Sequence, residues 1–164
     1  MNNQRFAVIG GDLRYSYLCD FLRADGLEVY ASGVLNCSDC CFDTDKIIRA
    51  SDIILLPIPL SRDGETLWMP HCEHTIRLTD IFKPDLAGKT IFAGAVSEPL
   101  LQTAQKYDIK LVDLLKIEEL TLKNAALTAE GAIYTAIKTR PALYSRQNVW
   151  YWALAGLASF SPAN

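Results

Sequence analysis

An α/β fold is predicted for this chain: a flavodoxin- or Rossmann-like parallel sheet of about five strands with helices on both faces. Three observations carry that reading. Residues 6–10, FAVIG, form an apolar run of strand length that enters a Gly-Gly turn. A second apolar run, DIILLP at 52–57, is bounded by proline and has the composition of a strand buried on both faces. Between and after such runs lie stretches with helical spacing and helix start signals, giving the alternation that right-handed βαβ crossovers require.

The elements follow in order. After the strand at 6–10, residues 13–24 have helical spacing with Leu18, Phe21 and Leu22 on one face, and Asp25-Gly26 stops that helix. Residues 28–31 make a second strand and 44–50 a short helix, before the third strand at 52–57. A long loop is expected from 58 to about 77, then a helical turn at 79–82 and a fourth strand at 90–93. Ser97 is placed to cap a helix running to Tyr107, with Glu98 and Pro99 in its first turn, where helix starts favour them. Residues 110–114 make the fifth strand, and 124–137, NAALTAEGAIYTAI, read as a Thr-capped amphipathic helix. There is no internal repeat, low-complexity tract or linker.

Composition narrows the functional classes. The 164 residues are half apolar and carry a formal charge of −3, enough for one sizeable core but without a basic stripe to neutralise phosphates. Nucleic acid is set aside. The opening, MNNQRFAVIGG, is not a secretory leader, and no apolar run approaches the roughly 18 residues of a spanning helix, so a cytoplasmic location without a membrane anchor is expected. Five cysteines, an odd number at irregular spacing, fit free thiols in a reducing compartment.

Ligands of open α/β sheets bind at the carboxyl ends of strands, which directs attention to Gly10-Gly11-Asp12-Leu13-Arg14. The glycines allow a sharp turn, the helix N-terminus offers N–H groups to an anion, and Arg14 could grip a carboxylate at two points. Equally, Asp12 could simply cap the helix and Arg14 lie in solvent. The third glycine of a GxGxxG fingerprint is replaced by Tyr15, so a dinucleotide site here is weakly supported. Further on, Thr128 is a natural N-cap and Glu130 suits the first turn. Gly131 inside the helix costs about 1 kcal/mol relative to alanine, which a close approach of backbone or ligand would justify. Packing and function both fit.

Cys37, Cys40, Cys41 and the cluster His71-Cys72-Glu73-His74 have zinc-ligating chemistry, but the second half has no standard spacing, and no metal site is expected. A Ser-His-Asp machine lacks its GxSxG elbow.

Taken in order, GGDxR (Gly10, Gly11, Asp12, Arg14), the strand end ILLPI (54–58), AGAVS (93–97) and Asn124-x-x-x-Thr128-Ala-Glu130-Gly131 resemble the N-terminal domain of the dipicolinate synthase A-subunit, over about residues 6–137. The resemblance implies a two-domain oxidoreductase whose N-terminal domain contacts the substrate while a C-terminal Rossmann domain holds NAD(P). It implies formation of dipicolinate from a dihydrodipicolinate-type precursor during sporulation, together with the flavoprotein-like B-subunit of dipicolinate synthase; a homo-oligomer is a separate expectation, open at this point. The substrate would be a small dicarboxylate, met by Gly11, Asp12, Arg14, Pro57, Ser97, Thr128, Glu130 and Gly131. No catalytic residue is assigned; Glu130 is a candidate by position only.

The chain departs from this pattern in two ways. Leu127 stands where proline is expected, and the sequence ends at Asn164 with no GxGxxG and no second βαβ unit. No binding site for the cofactor is therefore expected in these residues, and the chain alone is expected to be inactive in hydride transfer. Its last segment, NVWYWALAGLASF at 148–160, is aromatic-rich. Read in a neighbouring frame, Trp150-Tyr151-Trp152-Ala153 forces Val-Leu-Gly whatever codons are used, and the continuation permits x-Gly-Arg, the opening of a dinucleotide-binding turn. The expectation is a substrate-side domain at 1–140 and a tail at 141–164 that is the remnant or frameshifted start of an NAD(P)-binding domain. A genuine amphipathic tail that docks on the domain or a partner is the alternative. Two other functional classes remain open: a non-catalytic flavodoxin-like module binding a small anion or a protein, and a metal or thiol sensor using Cys37, Cys40, Cys41 and Cys72.

Overall fold

The computed structural model describes residues 4–35 and 43–139. Two compact units are present, Met1–Lys116 and Ile117–Asn164. Cys37, Cys40, Cys41 and the tail at 141–164 lie outside the described residues.

The first unit is built from β1 (Arg5–Ile9), α1 (Leu13–Ala24), β2 (Glu28–Ser32), α2 (Thr44–Ala50), β3 (Ile53–Leu55), α3 (Leu78–Ile81), β4 (Thr90–Ala93), α4 (Glu98–Lys106) and β5 (Lys110–Asp113). All five strands pair in parallel in the order β2-β1-β3-β4-β5. The register sets Phe6 of β1 beside Val29 and Ile53, and Ile54 of β3 beside Ile91. This is the flavodoxin-like strand order, and the predicted alternation of strands and helices is what produces it.

Strand alternation divides the apolar residues between two layers. Ala7, Ile9, Ile54, Ile91 and Ala93 enter one cluster with Ile47 and Ile48 of α2, Leu78 and Ile81 of α3 and Ala104 of α4. Val8, Val29 and Ala31 enter the other with Tyr15 and Cys19 of α1. Full burial of a side chain such as Ile54 or Ile91 contributes roughly 1.5–3 kcal/mol, so this sorting by face fixes the register.

The third strand is shorter than the apolar run 52–57, and only Ile54 of its three residues is fully buried. Ile53 and Leu55 are half-buried because α1 is the helix of this unit packed on their side, and its contacts concentrate on β1 and β2. On α1 the buried residues are Tyr15, Ser16 and Cys19, with Leu18 and Leu22 partly covered. Phe21, expected on the packed face, is 72% exposed. It lies two residues beyond Cys19, about 200° around a helix of 3.6 residues per turn. The helix stops as expected: Gly26, at φ +78°, donates to Arg23 O and Leu27 N donates to Leu22 O, a Schellman closure.

Residues 58–77 form a folded lobe instead of an open loop. Thr66 bridges Arg77, Leu67 N donates to Ile76 O, Leu78 N donates to Glu65 O, and Leu60, Leu67 and Met69 are buried. Its tip is tied by Asp63, whose carboxylate accepts from the Ser61 hydroxyl, the Glu65 and Thr66 amides and the Thr66 hydroxyl.

The second unit holds α5, Glu118–Thr139, a single helix of 22 residues. The expected start at Thr128 is corrected: Thr128 lies in mid-helix and its hydroxyl donates back to Asn124 O, the i−4 bond of an interior threonine. Among the described residues no helix is long and apolar enough to cross a membrane.

Candidate functional site

The strand order reverses between β1 and β3, and the carboxyl ends of those two strands define the crevice where such sheets take ligands. From β1 the chain leaves through Gly10 and Gly11, at φ +71° and +89°. Gly10 needs more than its φ: a Cβ there would sit 2.7 Å from Met69 Cγ and 3.0 Å from Trp68 O. Gly11 donates its N–H to Trp68 O at 2.9 Å, so the lobe 58–77 is hydrogen-bonded to the turn.

Asp12 and Arg14 act on each other. Asp12 is the N-cap of α1, accepting from Arg14 N at 3.1 Å, and its carboxylate also takes Arg14 Nε at 2.9 and 3.1 Å. That side-chain bond is the main reason its pKa lies below the ordinary carboxylate value. The Arg14 pKa is raised by the same pairing. Arg14 Nη2 donates to Ile58 O at 3.1 Å, which ties the helix start to the exit of β3. Both readings of this turn hold in part: Asp12 caps the helix, and Arg14, 62% exposed at its side chain, is held by Asp12 and the Ile58 carbonyl at the exit of β3. Tyr15, one residue on, donates its hydroxyl to Leu56 O, and burial raises its pKa.

Pro57 is fully buried and packs under Gly10, so its side chain shapes the turn and presents nothing to a ligand. Ile58 and Pro59 are joined by a cis peptide bond. The β4 exit lies alongside: Gly94 N donates to Pro57 O at 3.4 Å and Leu60 N donates to Gly94 O at 2.8 Å. Ala95 adopts φ +59°, and the buried Asp113 at the end of β5 accepts from Val96 N at 3.1 Å and Leu115 N at 3.0 Å. Ser97 is exposed and stands at the N-cap of α4, its carbonyl accepting from Leu100 N and Leu101 N; its hydroxyl makes no capping bond.

Gly11, Asp12 and Arg14 thus share one turn, Pro57 packs against its Gly10, and the turn leading to Ser97 is bonded to the same lobe. Thr128, Glu130 and Gly131 belong to the second unit. Nothing among the described residues lies within 4 Å of a Cβ built on Gly131, so its presence is not explained by a close approach. The N-terminal anion site expected at Thr128 is absent, because the amides there are inside α5.

Three features were not anticipated from the sequence: the Ile58 carbonyl, Asp113, and Arg62, whose guanidinium lies 4.7 Å from the centre of the Trp68 ring. Arg62 and Trp68 sit in a stretch of no regular periodicity, and their six-residue separation does not fall on one helix face. A cavity of about 570 Å³ is walled by Asp43, Asp45, Asp80 and the isoleucines 48, 76 and 81, and takes in none of the expected site residues.

A dinucleotide does not fit the first turn. The Gly11 amide is taken by Trp68 O, a carboxylate already occupies the helix N-terminus, and the Tyr15 ring fills the space beside Gly11, where a Cβ would fall 2.2 Å from Cδ2. A pyrophosphate needs all three of these places open.

Residues 5–115 match the family model of the N-terminal domain of the dipicolinate synthase A-subunit. The chain belongs to that family. Among solved structures, the dipicolinate synthase A-subunit from Bacillus halodurans superimposes with a TM-score of 0.68 at 24% identity, over 83% of this chain and 49% of that one. The dipicolinate synthase A-subunit from Bacillus subtilis gives 0.66 at 23% identity, over 84% and 49%. An imine reductase from Myxococcus stipitatus, solved in complex with NADP+, gives 0.48 at 17% identity, over 66% and 39%. No curated protein matches the sequence significantly. The chain spans about half the length of the two synthase structures.

Proposed function

We propose that this chain is the substrate-side domain of an oxidoreductase like the dipicolinate synthase A-subunit, which makes dipicolinate from a dihydrodipicolinate-type precursor in sporulation. The observation that carries the reading is Arg14, held by Asp12 and the Ile58 carbonyl at the exit of β3. Its remaining N–H groups form a preset fork for a carboxylate, at little entropic cost on binding. Ser97, exposed at the start of α4, is the second group of this unit suited to an anion. Thr128, Glu130 and Gly131, on α5 of the second unit, are carried as candidates from the family resemblance alone, with Glu130 the candidate acid or base.

NAD(P) supplies hydride chemistry in this scheme, held by a second Rossmann domain and not by the Gly10–Gly11 turn. The Val-Leu-Gly encoded beside Trp150–Trp152 is proposed as the start of that domain, read one frame away. A flavoprotein like the dipicolinate synthase B-subunit and a second copy of this chain are the proposed protein partners, in the cytoplasm.

The test is a titration of the 164-residue protein with pyridine-2,6-dicarboxylate. Saturable binding between the micromolar and millimolar range is expected, and its loss in Arg14→Gln. If the dicarboxylate does not bind and a protein partner does, the chain is a non-catalytic binding module.

A further inference from the structure

Arg14 is set by the exit of β3, and the exit of β3 is set by a glycine on the next strand. Arg14 Nη2 donates to Ile58 O at 3.1 Å. The backbone on either side of Ile58 is tied to one residue: Gly94 N donates to Pro57 O at 3.4 Å, and Leu60 N donates to Gly94 O at 2.8 Å. Gly94 is the first residue beyond β4, and the order β1-β3-β4 within the sheet is what brings positions 14, 58 and 94 side by side.

Gly94 is buried and does not adopt a positive φ, so its backbone conformation does not call for glycine. Space does. A Cβ there would fall 2.7 Å from Ile58 Cγ2, 2.8 Å from Cγ1 and 3.1 Å from Cβ. Those atoms are the root of a branched side chain that is stiff about its first torsion, so it cannot swing aside as the far end of a long chain would. An added methyl group at position 94 has to displace Ile58 as a whole, together with the carbonyl that Arg14 holds. The guanidinium is anchored by Asp12 at Nε and by Ile58 O at Nη2, and the second anchor is the one that moves.

We propose that Gly94 is a positioning residue for Arg14: the space it leaves seats Ile58, and the seated Ile58 carbonyl sets the guanidinium for an incoming carboxylate. This rests on the carboxylate-binding reading of Arg14.

The experiment compares wild type, G94A, I58A and G94A/I58A in the 164-residue protein. Two quantities are read: the affinity for pyridine-2,6-dicarboxylate, and the Arg14 side-chain nitrogen resonances of the free protein, with the amide spectrum as the check on folding. G94A is expected to weaken binding about three- to tenfold, the worth of one hydrogen bond lost from the fork, and to shift the Arg14 Nη resonances. In the I58A background the same substitution is expected to change neither, because the atoms in its way are gone. An equal loss from G94A in both backgrounds overturns the proposal, since the methyl group then acts without Ile58. Unchanged Arg14 resonances in G94A overturn it as well. If wild type binds no dicarboxylate, the carboxylate reading of Arg14 falls, and the resonances still decide whether Gly94 positions that side chain. Should G94A not fold, wild type itself carries the test: a nuclear Overhauser contact between the Ile58 γ2 methyl and the Gly94 α protons, with slowly exchanging Arg14 Nη protons, is expected, and the absence of either overturns the proposal.

Discussion

Asp12 does two jobs, and substitutions separate them. Asp12→Ala removes the cap and the Arg14 partner and is expected to cost about 1 kcal/mol, whereas Asp12→Asn keeps the cap and costs less, because an exposed ion pair adds little. Urea unfolding of the two variants measures the difference. The pH dependence follows from the same groups. Asp12 and Asp63 are both held below the ordinary carboxylate value, Asp63 chiefly by the Thr66 hydroxyl and then by the Thr66 and Glu65 amides. A depressed carboxyl stabilises the fold above its unfolded pKa, and that contribution is lost as pH falls through the lower folded value. The lobe tip should therefore stay ordered on acidification until below the usual carboxylate range. Trp68 fluorescence during acid titration checks this, with Asp63→Asn expected to remove the acid step assigned to the tip. These residues also mark the limit of what the sequence reveals. Asp12 and Arg14 stand out as a pair at a strand end, but nothing in their spacing tells that they spend their hydrogen bonds on each other and on Ile58. Arg62 carries no signal of its own because its partner Trp68 is reached only by the fold of the lobe.

Individual elements test the packing. Asp113→Ala would leave the buried Val96 amide without its acceptor and is expected to destabilise the unit by about 1–3 kcal/mol, seen as a lower urea midpoint with an unchanged slope. In α5, Gly131→Ala is expected to stabilise by up to about 1 kcal/mol, since the glycine is inside a helix with open space beside it. Thermal unfolding followed by circular dichroism checks it, and a lower midpoint would mean that another backbone approaches there. The misreading of α5 has a physical cause. Thr128 followed by Glu130 resembles a helix start, but residues 118–127 contain neither glycine nor proline and are rich in helix formers, so propagation from Glu118 outweighs the local cap signal. The strands were legible as apolar runs of strand length, and α1 from its spacing and its Asp25-Gly26 stop, although Phe21 falls off the packed face. The lobe at 58–77 was not, because its order comes from pairing between Thr66 and Arg77 and from contacts with a strand far away in sequence.

At the scale of the sheet, the order β2-β1-β3-β4-β5 puts its crevice between β1 and β3, and there the chain sets Arg14 and a lobe hydrogen-bonded to the first turn. The first turn of this unit is filled by the Trp68 carbonyl, the Asp12 carboxylate and the Tyr15 ring. The gene offers an independent check of the proposed second domain: read one frame away from codon 149 onward, the source DNA is expected to continue as Val-Leu-Gly-x-Gly-Arg and a further strand-helix series. A neighbouring frame that stops at once would contradict it. The most direct test of the substrate-side role is an amide-resolved NMR titration of the 164-residue protein with pyridine-2,6-dicarboxylate. Saturating shifts at Gly11, Arg14, Ile58 and Ser97 are the predicted result. No shifts, or shifts confined to the cavity lined by Asp43, Asp45 and Asp80, would contradict it.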